Sequence, residues 1–292
     1  ISYTKDRSRI WIKTAFSPNK EYQLTLKYYA KPKQAMYFIN WDAPKQKNVS
    51  KQVWTQGQGK YNSNWLPSFD DMTEKLIFNL TFNFNEDYQV ISNGELVNNI
   101  ALNDSITQWK FKMDKPMSSY LVAVTVGNYS KLTLQSKTAV PIELYFEPKD
   151  SIKVEPAYRY TKDIFDFFED EIGVAYPWKD YKQVPVQDFL YSGMENTGLT
   201  IFSDSFMIDS TAFTDYNYVF VNAHELAHQW FGNLVTETNG KHHWLHEGFA
   251  TYYAWLAEKE IFGEDYFYWK LYESAEQLKE LSDSGKGESL LK

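Results

Sequence analysis

Residues 224–233 read His-Glu-Leu-Ala-His-Gln-Trp-Phe-Gly-Asn. The first five fit the pattern His-Glu-x-x-His, and their setting fits a helix. Val219, Ala223, Leu226, Ala227 and Trp230 recur at the spacing of an apolar stripe, with Gly232 placed to end it. On a helix, residues four apart stand one turn apart on the same face. His224 and His228 then adjoin the stripe, close enough to grip one metal ion, with Glu225 beside a water on that ion. All five histidines of the chain (His224, His228, His242, His243 and His246) fall in this neighbourhood, so any metal chemistry done through imidazole is done here.

Downstream, a second helix is expected over about Glu247 to Ile261, and a third after Gly263 carrying Phe267, Leu271 and Ala275. Upstream, Ala157, Tyr160, Ile164, Phe168 and Ile172 repeat every three or four residues, with Pro156 near the start and Gly173 just past the end. Two short strands are expected near 182–186 and 199–202. Before residue 147 the period changes to two. Tyr22, Leu24, Leu26 and Tyr28 alternate with more polar neighbours, as do Leu76 to Phe84 and Trp109 to Met113. Asn93-Gly94 and Asn103-Asp104 mark turns, and Tyr120 to Val126 reads as a strand buried on both faces. The fold class is therefore α+β: an N-terminal antiparallel β-sheet domain over residues 1–147, then a mainly helical domain over 148–292.

A chain of 292 residues with 43% hydrophobic and 18% aromatic content has material for one large core or two ordinary ones. A net charge of −8 without a basic patch argues against nucleic acid as a partner. The absence of cysteine excludes disulfides, thiolate metal sites and a cysteine nucleophile. No apolar run approaches the ~20 residues of a membrane-spanning helix. The chain starts at Ile1 without an initiator methionine, so it is read as a piece of a longer or processed protein, and compartment and oligomeric state stay open.

The third metal ligand separates the possible classes. A metzincin would carry a histidine six residues after His228, following a glycine; this chain has Leu234 there and Phe231 where the glycine would be. Glu247, 19 residues after His228 at the start of the next helix, is the better candidate. Two imidazoles and one carboxylate leave a fourth tetrahedral position open, the arrangement of a catalytic zinc site. One zinc ion there would polarise a carbonyl and lower the pKa of a water to ~7, with Glu225 placed to take that water's proton. His242, His243 and His246 are rival ligands. His246 adjoins Glu247, so the two do not face one ion together, and all three are expected in supporting or loop roles.

Upstream stands Tyr191-Ser-Gly-Met-Glu-Asn-Thr-Gly198, and downstream Trp244-Leu-His-Glu-Gly-Phe-Ala250. With the 224–233 motif, in this order and spacing, they resemble the M1 family of zinc aminopeptidases, over most of the chain. The resemblance implies a β-rich N-terminal domain followed by a thermolysin-like catalytic domain, and peptide substrates with a free N-terminus. It implies that Glu195 binds the substrate's α-ammonium and that Gly193 and Met194 line the substrate strand. Thr55-Gln-Gly-Gln58 resembles a further family element, which carries an amine contact to Gln58.

The chain departs from the family pattern in three places. Ser192-Gly193 stands before Met194 where Gly-Ala or Gly-Gly is usual. His246 stands where asparagine is usual, a titratable group beside a ligand that is expected to alter the pH profile. The family's oxyanion tyrosine lies further downstream than the 45 residues after Glu247, so none of Tyr252, Tyr253, Tyr266, Tyr268 and Tyr272 takes that role. The expectation is thus a chain truncated at the C-terminus and, by the same reading, at the N-terminus. The alternatives are a thermolysin-like endopeptidase, an inactive peptide-binding piece, or an added epoxide hydrolase activity that no residue here demands.

Overall fold

The computed structural model describes residues 2–6, 9–42 and 49–286. In chain order the strands are β1 (Ser2–Lys5), β2 (Ile10–Lys13), β3 (Met36–Ile39), β4 (Gln52–Thr55), β5 (Asn79–Asn85), β6 (Gln89–Ser92), β7 (Glu95–Asn103), β8 (Ile106–Lys112), β9 (Val124–Gly127), β10 (Ser130–Gln135) and β11 (Pro141–Phe146). Helices α1 (Val154–Tyr158) and α2 (Thr161–Ile172) follow, then β12 (Tyr181–Val186), β13 (Gly193–Met194) and β14 (Leu199–Ser203). The chain continues through α3 (Ser210–Asp215), α4 (Val219–Ala227), α5 (Trp244–Phe262) and α6 (Glu264–Asp283). The class is α+β, with an antiparallel, sheet-rich N-terminal part and a partly helical second part.

The strands stack in layers, because period-two sequences give each strand two distinct faces. A three-stranded sheet, β5-β8-β7, covers a four-stranded sheet, β3-β4-β9-β6. Val53, Val90, Phe111, Val124 and Val126 fill the space between these two sheets. The alternate residues Trp54 and Ile91 turn the other way and pack with Val184, Val186, Leu199 and Ile201 of a five-stranded sheet. That sheet runs β10-β11-β12-β14-β13, with β12 parallel to both β11 and β14. Its far face, through Ile142, Leu144, Tyr181 and Phe202, packs on α2, α4 and α5. Because β11 pairs with β12, this sheet straddles residue 147, where the sequence changes period.

Several elements differ from their sequence reading. Tyr22, Leu24, Leu26 and Tyr28 form no strand; they are exposed, and no strand among the described residues offers its backbone to them. A strand's amides and carbonyls need a partner, which alternation alone does not supply. The run 120–126 is buried throughout, but it opens as a 3-10 turn at Ser119–Leu121 and becomes strand only at Val124. Asn103-Asp104 and Asn93-Gly94 both join consecutive strands as expected, the first closing the β7–β8 hairpin and the second carrying the chain from β6 in one sheet to β7 in another. The stripe over 157–172 is divided between α1 and α2 by a turn at Arg159–Tyr160, and Gly173 ends α2 at φ 69°. The α4 helix stops at Ala227, ahead of Gly232, because its last turn tightens: Gln229 N–H donates to Leu226 O and Trp230 N–H to Ala227 O.

Candidate metal centre

The α4 helix is held from two sides. Val219, Ala223, Leu226 and Ala227 are buried in the core, where a fully buried leucine contributes about 1.5–3 kcal/mol. Asn222 adds a buried polar tie. Its Nδ2 donates to Thr161 Oγ1 on α2 at 2.7 Å, and its Oδ1 accepts from Gln183 Nε2 on β12 at 2.7 Å. Such fully satisfied buried networks fix one arrangement, since any shift strands a polar group. Across from α4, Ala250, Ala254 and Ala257 of α5 recur four and three apart and are all buried. Small side chains let the two helices approach, and this brings Glu247, in the first turn of α5, opposite the two histidines.

There the ligand atoms converge. His224 Nε2 and His228 Nε2 are 3.0 Å apart, and Glu247 Oε2 is 3.2 Å from the first and 3.8 Å from the second. Bonds of ~2.0–2.1 Å in a tetrahedral site give ligand–ligand separations of roughly 3.4 Å, so the spacing fits a zinc-sized cation. The tautomer fits as well. His228 Nδ1 is 2.9 Å from the Phe231 carbonyl, which only accepts, so the proton sits on Nδ1 and the Nε2 lone pair faces the cluster. Burial, then the neighbouring His224, lowers the His228 pKa to about 3, which keeps the ring neutral. Bonds from His224 and then His243 hold the Glu247 carboxyl far below its ordinary value.

Glu225 points into the same space and is buried. Burial first, then the charges of Glu195 and Glu247, raises its pKa well above the usual carboxyl value. Glu195 follows β13. Burial raises its pKa to about 7, and its Oε1 is buried with no hydrogen-bond partner among the described residues. Its backbone, by contrast, is pinned: Asn233 Nδ2 donates to Glu195 O at 2.7 Å and Gln229 Nε2 to the same oxygen at 3.4 Å, while Gln229 Oε1 accepts from Gly198 N–H at 2.9 Å. Gln229 and Asn233 both lie in the 224–233 motif, and neither is singled out by helical period or ligand chemistry. Their signal in the sequence is a pair of amide side chains just past the end of the helix, where the backbone leaves its regular ladder. Gly193 and Met194 form β13, the outermost strand of its sheet, so one backbone edge is left unpaired by β14.

His224, Glu225, His228, Glu247, Glu195, Gly193, Met194 and Gln58 all line one cavity of about 300 Å³, closed by Tyr191, Ser192, Phe220 and Val221. Gln58 reaches it from the β-rich part, on the loop after β4. Its N–H donates to Gln56 Oε1 at 2.6 Å, while Gln56 Nε2 donates to Met194 Sδ at 3.1 Å. His243 lies between two carboxylates, 3.1 Å from Glu237 and 3.3 Å from Glu247. Those two bonds, the Glu237 one first, raise its pKa to about 10. His246 Nε2 lies against Glu237 Oε2, and His246 is not part of the cavity lining. A larger cleft of about 670 Å³ lies elsewhere, lined by β7, β8 and β11. Its lysines already face carboxylates (Lys131 with Glu143, Lys179 with Glu95, Lys182 with Asp180), so it holds no comparable free group.

Fold and site together define a protein with a two-histidine, one-carboxylate centre on a helix pair, facing the edge of a mixed sheet. The Peptidase M1 N-terminal domain matches residues 2–121, and the Peptidase family M1 domain matches residues 157–290. Glutamyl aminopeptidase of Sus scrofa is 32% identical over 203 residues, covering 67% of this chain and 22% of that protein. Glutamyl aminopeptidase of Homo sapiens is 30% identical over 195 residues, covering 65% and 20%. Endoplasmic reticulum aminopeptidase 1 of Mus musculus is 29% identical over 219 residues, covering 72% and 24%. The chain belongs to peptidase family M1, and it matches less than a quarter of the length of these curated relatives. Among the described residues no helix is long and apolar enough to cross a membrane.

Proposed function

We propose that this protein is a zinc-dependent aminopeptidase, with His224, His228 and Glu247 as ligands of one ion, Glu225 as general base and Glu195 as the anchor of the substrate's amine. The observation that carries the reading is the partnerless, buried Glu195 Oε1 in the same cavity as the converged ligands. A desolvated carboxylate is costly until a cation meets it, and the free α-ammonium of a peptide is a cation one residue from the scissile bond. An internal peptide bond brings no such charge and leaves Glu195 unpaired, which disfavours endopeptidase action. A zinc ion at the centre supplies Lewis-acid polarisation and lowers the pKa of a water to ~7.

The chain's own residues supply the rest. Glu225 takes the proton of the attacking water and hands it to the leaving amine, a task suited to a carboxyl whose pKa is raised by burial. The open edge of β13 pairs with the substrate backbone as an added strand. Gln58 adds a polar contact near the amine, so the domain before residue 147 forms one wall of a site seated in the domain after it. Two relatives are named for glutamyl substrates, but the lining of this cavity contains three carboxylates and no lysine or arginine. The reading therefore takes no acidic preference from them.

The test is metal analysis of the purified protein together with hydrolysis of aminoacyl-p-nitroanilides and their N-acetylated counterparts. One bound zinc and hydrolysis confined to the free amines are expected. Acetylated substrates cleaved as fast as free ones would overturn the amine anchor. Zinc bound without any turnover would favour the peptide-binding alternative.

A further inference from the structure

Glu247 has a half-exposed side chain, so burial alone does not fix its carboxylate. Its two oxygens nevertheless face different partners. Oε2 faces His224 and His228, while Oε1 is 3.3 Å from His243 Nε2. The other nitrogen of the same ring, His243 Nδ1, is 3.1 Å from Glu237 Oε1. Carboxylate oxygens only accept, so both ring nitrogens donate, and the imidazole is a strut between two carboxylates. The far end of the strut is firm: the Glu237 side chain is 1% exposed and its backbone N–H donates to His246 Nε2 at 3.0 Å.

We propose that Glu237 and His243 are positioning residues for the Glu247 carboxylate, holding Oε1 from behind so that Oε2 stays turned toward His224 and His228. This rests on the reading of those three residues as a metal centre. Ligands in metal sites are commonly oriented by a hydrogen-bonded neighbour, and losing that neighbour typically costs 10–100-fold in metal affinity. Here the supporting group is the imidazole and the supported ligand is the carboxylate.

Glu237, His243 and His246 also lie close enough together to suggest a second cation site of their own. The Glu237 N–H argues against it, since it already occupies the His246 Nε2 lone pair that a cation would need. Gln58 Nε2 stands 3.5 Å from His243 Nε2, but both are donors in this arrangement, so Gln58 is a neighbour of the strut and not a hydrogen-bonded part of it.

The test is the zinc dissociation constant of the whole protein, measured by chelator competition, with the visible spectrum of the cobalt-substituted protein as a second readout. His243→Ala is expected to weaken zinc 10–100-fold and to alter the cobalt spectrum. Glu237→Ala is expected to do the same, and the double variant to be no weaker than the weaker single, since both break one strut. His243→Gln, which can still donate to Glu247, should recover part of the affinity. Glu237 is buried and its replacement is a test of folding as well, so His243, a third exposed, carries the test independently. Zinc held by His243→Ala within about twofold of the parent overturns the proposal alone. A second zinc in the parent that His243→Ala removes overturns it in favour of ligation. A parent protein that binds no zinc overturns the metal-centre reading and this proposal with it.

Discussion

The Glu225 carboxylate rests directly on the backbone of Gly193: a Cβ built on Gly193 would stand 2.5 Å from Glu225 Oε1 and 2.6 Å from its Cγ. Side chain and strand are in van der Waals contact with no room for a methyl group. The edge strand thus sets where the proposed base points.

Gly193→Ala should therefore displace Glu225 without touching His224, His228 or Glu247. A misplacement of ~1 Å costs on the order of 10²-fold in rate. The expected result is turnover reduced by about that factor with zinc affinity unchanged, measured side by side on one preparation. Full activity in the alanine variant would mean that Glu225 has freedom the structure does not show.

Glu225→Gln keeps the shape of the side chain and removes its basicity. Zinc should stay bound while turnover falls by about 10²–10⁴-fold, the usual contribution of a general base. His228→Ala should instead lose zinc, because it deletes one of three ligand atoms. Metal content and steady-state rates of the two variants separate these roles. A Glu225→Gln protein that still turns over would remove Glu225 as the base.

Asn62 ties the Gln58 loop to the core. Its Nδ2 is 2.8 Å from Ser119 O, 3.2 Å from Tyr120 O and 2.8 Å from Val122 O, and its Oδ1 accepts from Trp65 Nε1 at 2.9 Å. Gly57 lies against the same amide, and a Cβ there would be 2.3 Å from Nδ2. Asn62→Ala removes both amide donors from these clustered carbonyls and leaves Trp65 Nε1 without its acceptor, and should cost about 1–3 kcal/mol. Asn62→Asp, which turns an acceptor toward them, should cost more. Thermal unfolding gives the order: parent, then alanine, then aspartate.

What could be read from the sequence follows from what repeats in it. His224 and His228 share a face because a helix has a fixed period, and the strands β5 and β8 alternate because a sheet does. Glu247 could be found from a helix start at a suitable distance. Gln58 could not, since its place in the cavity depends on a loop that no period describes; only the resemblance pointed to it. Nor could Gln229, Asn233 and Glu237, whose hydrogen-bond partners stand across loops that no period describes. The order of the five-stranded sheet was equally hidden. Parallel partners such as β11 and β12 are far apart in sequence, and nothing in either strand names the other. The alternation at Tyr22 to Tyr28 misled because period two describes a face and not a partner.

The pH dependence of stability should expose Glu195. Burial, opposed in part by its own backbone hydrogen bond, raises its pKa from the ordinary 4.5 to about 7. Below the unfolded value both states are protonated and the group has no effect. Between the two values the folded chain holds a proton that the unfolded chain has lost, so stability falls as pH rises, and the penalty is complete above the folded value. Glu195→Gln never ionises and carries no such penalty. In the metal-free protein, the glutamine variant should be more stable than the parent at about pH 8, with that advantage gone at about pH 5. Groups remote from Glu195 titrate alike in both proteins and cancel, whereas Glu225, whose pKa the Glu195 charge helps to raise, is relieved in the variant and adds to its advantage at the higher pH. Thermal unfolding of the two at both pH values measures it. An advantage that does not change with pH would show that Glu195 already finds a partner in the folded chain, and the case for a substrate ammonium as its missing cation would fail with it.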